Sequence, residues 1–225
     1  MKRAVEEALP FYEGISEAIS LGLAGSLRRR AIRRLESFRK DWILDSGTGP
    51  GVSSELMLRD RFERVIGLDP SLTLLRSTKA RLGEGFYPVQ AVAEYVPLRE
   101  ASVSGVITCF SLRDVRDKAR SISEFAKTVR HNGLLEIVDV GKPDGWLVQG
   151  LISAYVSLIM PLIARVLIGR RARTNPFKMI IPTFRRLPTN HDLTSLTTAR
   201  FGSAKPQQFL FGGLVIVEGK RTRSS

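Results

Sequence analysis

The stretch Asp45-Ser46-Gly47-Thr48-Gly49-Pro50-Gly51 constrains this chain more than any other. It follows the apolar run Trp42-Ile43-Leu44, and a second apolar run, Val65-Ile66-Gly67-Leu68, ends in Asp69. Two strands that each end in a carboxylate, with a glycine loop after the first, describe the wall of a nucleoside-cofactor pocket. Gly47, Gly49 and Gly51 let backbone approach a ligand closely. The helix that follows turns its free N–H groups toward the site. A nicotinamide fingerprint needs its third glycine at position 52, where Val52 stands. Here the glycines alternate, and the acid ahead of them suits a cationic amino-acid ligand better than a pyrophosphate. Asp69 stands where a carboxylate accepts hydrogen bonds from both ribose hydroxyls.

The surrounding pattern alternates. Strands are predicted at 42–46, 64–68, 86–91, 103–110 and 134–140, with helices near 51–60, 72–82 and 117–130. A closing strand is predicted over 209–218, with Gly212-Gly213 as a bulge or turn. Alternation implies a parallel sheet with helices on both faces. Ligands of such sheets bind at the carboxyl ends of the strands, near the switch in strand order. A chain of 225 residues is expected to form one domain with a full core. Residues 1–40 read as helices. Within Arg28-Arg29-Arg30-Ala31-Ile32-Arg33-Arg34-Leu35, Ala31, Ile32 and Leu35 share one face and the arginines lie elsewhere, as solvated surface or against lipid phosphates.

The net charge of +13 attracts anionic surfaces: nucleic acid, anionic lipid or acidic metabolites. Arginine excess also accompanies high growth temperature or genome bias. A single cysteine, Cys109, excludes an internal disulfide and a cysteine-based metal cluster. Two histidines, His131 and His191, make a protein metal site an unfavoured reading, and both are read as structural, with His191 a minor candidate near the C-terminal lid. Cys109 is either a reactive nucleophile or an inert buried thiol; its apolar strand and the lack of a nearby histidine favour the second. The first residues lack the apolar core of a signal peptide, so a cytoplasmic location is expected.

The apolar run 146–164 admits three readings. A true membrane span needs about 20 apolar residues, and Gln149, Gly150 and Pro161 interrupt this one. It is otherwise a buried lid helix, or a lid that meets an anionic bilayer, with Trp146, Tyr155 and the arginines that follow near the headgroups.

At this level of detail the chain resembles the class I S-adenosylmethionine methyltransferases. More narrowly, it is similar to the ubiquinone/menaquinone C-methyltransferase family. Phe11-Tyr12-Glu13, Ser20-Leu21-Gly22 and Leu27-Arg28-Arg29 resemble the family's early segments. Glu94-Tyr95-Val96-Pro97-Leu98 resembles its stretch after strand three, and Phe110-Ser111-Leu112-Arg113-Asp114-Val115 its Phe-Gly-Leu-Arg-Asn-Val signature. Leu135-Glu136-Ile137-Val138-Asp139 and Lys142-Pro143 match its fifth strand. Tyr155, Pro161, Gly169, Pro182, Arg185, Arg186 and Pro188 follow its C-terminal insertion in order. Departures are Val92, where the family usually has Asp or Asn for the adenine amino group, Gly105, Phe177 and Met179.

The resemblance implies an α/β, Rossmann-like fold with a mostly parallel, seven-stranded sheet and helices on both faces. Residues 1–40 would form an N-terminal helical cap, 41–140 the cofactor core, 141–200 a helical lid and 201–225 closing strands. It also implies S-adenosylmethionine as cofactor, held by Tyr12, Asp45, Gly47, Thr48, Gly49, Gly51, Asp69, Pro70, Val92, Ala93 and Cys109. Glu94 would compensate for Val92. The implied reaction is methyl transfer to a ring carbon of a prenylated quinol. Arg113 would stabilise the phenolate oxygen, and Asp114 would position a hydroxyl or a water. Two other classes stay open: a methyltransferase on another lipid, a small phenol or RNA, and a non-catalytic protein of the same fold. RNA is disfavoured because strand four ends in Phe110-Ser111-Leu112-Arg113, unlike the Asn/Asp-Pro-Pro-aromatic motif of amino-directed nucleic-acid enzymes.

Overall fold

Apolar runs that end in acids become the central strands. The computed structural model describes residues 17, 20–159, 162, 183–184 and 186–222. Strand β1 spans Trp42–Ser46, β2 Arg64–Asp69, β3 Phe86–Gln90, β4 Val103–Cys109 and β5 Val129–Val140. Helices α1 (Ala24–Arg34), α2 (Val52–Arg59), α3 (Leu72–Leu82) and α4 (Lys118–Thr128) precede or link them. Beyond β5 come α5 (Trp146–Ala154), α6 (Asn190–Phe201), β6 (Gly202–Phe209) and β7 (Leu214–Arg221).

The seven strands lie in the order β3-β2-β1-β4-β5-β7-β6. Strands β1 to β5 pair in parallel, and β7 inserts antiparallel between β5 and β6. The chain order reverses between β1 and β4, so the carboxyl ends of those two strands open the crevice where an α/β sheet binds its ligand. Pro88 of β3 and Pro206 of β6 sit on the two outermost strands.

Period-two alternation sorts the core into two layers. Leu44, Ile66, Val106, Ile137 and Val217 pack on one face with Ile122 and Phe125 of α4 and Leu193 and Phe201 of α6. Their neighbours Ile43, Val65, Ile107 and Val138 pack on the other with Leu27, Ala31 and Ile32 of α1, Met57 of α2 and Leu75 of α3. Helices therefore cover both faces. Side-chain caps fix three helix starts: Ser71 accepts from Leu74 N–H, Asp117 from Arg120 N–H and Thr189 from Asp192 N–H.

Two expectations shift. The fifth strand begins at Val129 rather than residue 134: Asn132 takes a left-handed φ of 61°, which absorbs the expected turn inside the strand. The closing segment is a hairpin, β6 and β7, joined by a tight turn over Leu210–Gly212.

Helix α1 is anchored by charge as well as by packing. The Arg34 guanidinium reaches Glu136 at 3.2 Å and Glu218 at 3.1 Å. Glu136 is fully buried on β5. Burial pushes its carboxyl up to about 8 from an ordinary 4.5, outweighing the pull of Arg34, and Glu218 pushes the same way. The folded state thus holds a proton that the unfolded chain releases above pH 4.5. Stability from this group is present below that value and falls as pH rises toward about 8. Urea midpoints measured across that window should decline in the wild type. In Glu136→Gln the decline should flatten; an unchanged slope would assign it to other groups.

Candidate active site

The glycine loop leaves β1 and folds back over the carboxyl ends of β2 and β4. Gly47 and Thr48 donate their N–H groups to Leu68 O at 2.8 and 3.0 Å. Gly47 has φ 72°, and a Cβ there would stand 2.4 Å from Ser111 Oγ, so only glycine lets the loop meet the end of β4. At Gly49 a Cβ would meet nothing closer than a backbone oxygen at 3.9 Å. The absent side chain there leaves room for a ligand.

Asp69 ties the loop to β2. One carboxylate oxygen accepts from Gly49 N–H at 3.0 Å and the other from Ser71 N–H at 2.8 Å. Asp45 is buried behind the loop and accepts from the Thr48 and Ser54 hydroxyls at 2.8 and 2.6 Å. Burial raises its carboxyl above the ordinary range, opposed first by the Ser54 and Thr48 bonds and then by the charge of Arg28.

The loop forms one wall of a cavity of about 760 Å³. Gly47, Thr48, Gly49, Asp69, Pro70, Val92, Ala93, Cys109, Arg113 and Asp114 all line it, so most of the residues singled out from sequence converge on one space. Asp45 and Gly51 do not line it; they shape the loop from behind. Tyr12 lies outside the described residues, as do Pro161, Gly169, Phe177, Met179, Pro182 and Arg185. His131 and His191 stand away from the cavity, and His191 N–H is bound to Asp144 at 3.0 Å. Cys109 is buried, and burial pushes its thiol up to about 12, which keeps it protonated and poorly nucleophilic.

The far wall is built on β4, β5 and the segment before α4. Arg113 is almost fully buried; its Nη1 meets Asp139 Oδ1 at 3.0 Å, and its backbone N–H donates to Asp139 Oδ2 at 3.0 Å. Asp114 is more open. Burial raises its carboxyl, the Arg113 charge lowers it, and a Thr183 hydrogen bond also lowers it. Lys118 donates to the Arg113 and Val115 carbonyls, closing this turn. Val92 bridges Tyr95, whose ring lies 3.9 Å beneath the Arg120 guanidinium. Glu94 does not stand free beside Val92: one of its oxygens accepts from Arg116 and Asp117 N–H.

Sequence reasoning missed Arg28, Arg120 and Asp139. Arg28 was grouped with solvated arginines, yet it is only 5% exposed and lines the cavity. Its spacing carried the signal, because positions 24, 27, 28, 31 and 35 fall on one helical face. Asp139 was visible as an acid near the end of a strand, but its pairing with Arg113 is tertiary.

Sheet order, loop and acidic strand ends are those of the class I S-adenosylmethionine-dependent methyltransferase fold. A family model for the methyltransferase domain matches residues 44–137. The chain is similar to the ubiquinone/menaquinone biosynthesis C-methyltransferase of Syntrophotalea carbinolica, 28% identical over 158 residues that cover 68% of this chain and 67% of the relative. It is also similar to the demethylmenaquinone methyltransferase of Bacteroides fragilis, 23% identical over 74% of this chain and 71% of that one. In fold it matches the Burkholderia thailandensis 1,6-didemethyltoxoflavin-N1-methyltransferase, solved with S-adenosylhomocysteine bound, with a TM-score of 0.59 at 15% identity over 99% of this chain and 89% of that chain.

The residues present fit the cofactor. The glycine cradle is open at Gly49, a carboxylate stands at the end of β2, and apolar Val92 and Ala93 lie beyond it.

Proposed function

We propose that this methyltransferase acts on a ring carbon of a prenylated quinol. The observation that carries the reading is one continuous cavity whose near wall is the donor cradle and whose far wall is Arg113 and Asp114. The named relatives, a ubiquinone/menaquinone biosynthesis C-methyltransferase and a demethylmenaquinone methyltransferase, support it. Bound in the cradle, S-adenosylmethionine supplies an electrophilic methyl on a sulfonium. Asp69 would accept from the ribose hydroxyls, and the glycine loop would hold the amino-acid end. Arg113, fixed by Asp139, offers positive charge to the acceptor's oxygen. Asp114, with its carboxyl raised by burial, accepts a hydrogen bond from the acceptor's hydroxyl. In the reaction the methyl–sulfur bond breaks, a carbon–carbon bond forms, and the ring carbon's proton passes to solvent. A native lipid extract incubated with labelled donor should yield a labelled quinone by mass spectrometry. Label confined to RNA or water-soluble phenols would refute the acceptor assignment while leaving the methyltransferase intact.

An anionic bilayer is the surface this acceptor implies. No helix among the described residues is long and apolar enough to cross a membrane. Instead Trp146, Leu147 and Leu151 of α5 are 78%, 62% and 72% exposed, and Leu158, Ile159 and Leu162 are exposed beyond it. An apolar helix on a chain of net charge +13 suits an interfacial pose on acidic headgroups. Vesicles containing phosphatidylglycerol should sediment the protein at low salt and release it at high salt, while neutral vesicles should not. Equal recovery from both would remove the docking proposal.

A further inference from the structure

Arg28 is a buried cation without a counter-ion among the described residues. It is 5% exposed, its Nε has no hydrogen-bond partner among the described residues, and no carboxylate lies within ion-pair distance of it there. An arginine left in that state costs free energy, yet the fold holds it firmly. Its helix is docked by Arg34, which donates a hydrogen bond to Glu136 and pairs with Glu218. Its guanidinium lies 5.4 Å from the centre of the Phe110 ring. Phe110 itself has a left-handed φ of 57°, an unfavoured state for an aromatic residue. The side chain lines the cavity beside Ser46, Gly47 and Cys109, and its charge reaches both Asp45 and Cys109.

Strand order says which end of a donor lies there. Asp69 ends β2, on one side of β1; Cys109 ends β4, on the other. With the ribose at Asp69, the amino-acid end falls on the β4 side. That end is a zwitterion. Asp45, behind the loop, supplies negative potential for its ammonium, and the anion still lacks a partner.

We infer that Arg28 is the subsite for the donor's α-carboxylate, so that the N-terminal helix completes the cofactor site. This rests on the methyltransferase reading above. The subsite explains the orphaned guanidinium: the ligand brings the missing charge, and the ion pair forms in a water-poor corner where charge-assisted bonds are strong. It also makes selection chemical. Adenosine derivatives that lack the carboxylate would leave Arg28 buried and unpaired, so the cavity rejects them.

The test is calorimetric and needs no turnover. S-adenosylhomocysteine and its decarboxylated analogue are titrated into the wild type, Arg28→Met and Arg28→Lys. The wild type should prefer the carboxylate-bearing ligand by about tenfold or more. Arg28→Met should lose that preference by weakening only the first ligand, and Arg28→Lys should keep part of it. Without ligand, Arg28→Met should melt no lower than the wild type, because it removes an unpaired charge; this separates a ligand-binding arginine from one that merely supports the fold. An undiminished preference in a folded Arg28→Met protein would overturn the subsite and leave the methyltransferase reading standing. A wild type that binds neither ligand would overturn both.

Discussion

Arg113→Ala is expected to lower the unfolding free energy by about 3–5 kcal/mol, because it strands the buried carboxylate of Asp139 without its partner. Asp139 is 1% exposed and receives Arg113 Nη1 at 3.0 Å. The backbone N–H bonds from Arg113 and Val140 survive the change, but neutral donors do not replace a guanidinium. Domains of this kind have roughly 5–15 kcal/mol in hand, so the loss is a large share. Urea unfolding measures it as a lower midpoint at an unchanged slope. Asp139→Asn added to Arg113→Ala should recover most of the loss, since it removes the stranded charge. A loss below about 1 kcal/mol, the usual value of an exposed pair, would mean that water reaches Asp139. Arg113 therefore has a structural duty beside any contact with the acceptor, and turnover of the alanine variant must be read at a temperature where it is folded.

Asp69→Ala is expected to weaken S-adenosylhomocysteine binding by about tenfold to a hundredfold. The proposed ribose hydrogen bonds to a charged acceptor are removed, a net loss of about 1.5–3 kcal/mol, and about 1.4 kcal/mol is one factor of ten. The same carboxylate fixes Gly49 and Ser71 N–H, so the cradle also loosens. Calorimetry reads the change directly. An unaltered affinity in a protein with a normal melting curve would place the ribose elsewhere.

The sheet was legible in the sequence where apolar runs end in polar residues. The predicted limits of β1, 42–46, match the structure, and β2 and β3 differ by one residue. Strands β1 and β2 are buried inside the sheet, so hydrophobicity and pairing agree, while β3 at the rim is anchored by the buried Phe86. Strand β6 was unreadable alone: Gly202–Phe209 is polar, half-exposed and interrupted by Pro206, and its pairing with β7 makes it a strand. The start of β5 was hidden because Asn132 looks like a turn and is one, yet pairing resumes at Val103 and Val129. That Gly47, Gly49 and Asp69 meet on one cavity wall could be read from sequence, since a tight loop between two strand ends dictates glycines and a nearby acid. Arg28 could not be read from composition. A charged residue in an apolar stripe makes sense only once the cavity it enters is known. The Arg113–Asp139 pair joins residues 26 apart in sequence, and local pattern carries no trace of it.

The prolines at the two rims of the sheet bear on how these molecules crowd together. Each takes away an amide donor where another chain could add itself as an eighth strand. Fibrillar growth by zipping rim to rim is blocked on both sides. Copies that gather at high concentration must meet through their helical flanks, and the greasy helix following β5 is the stickiest of these.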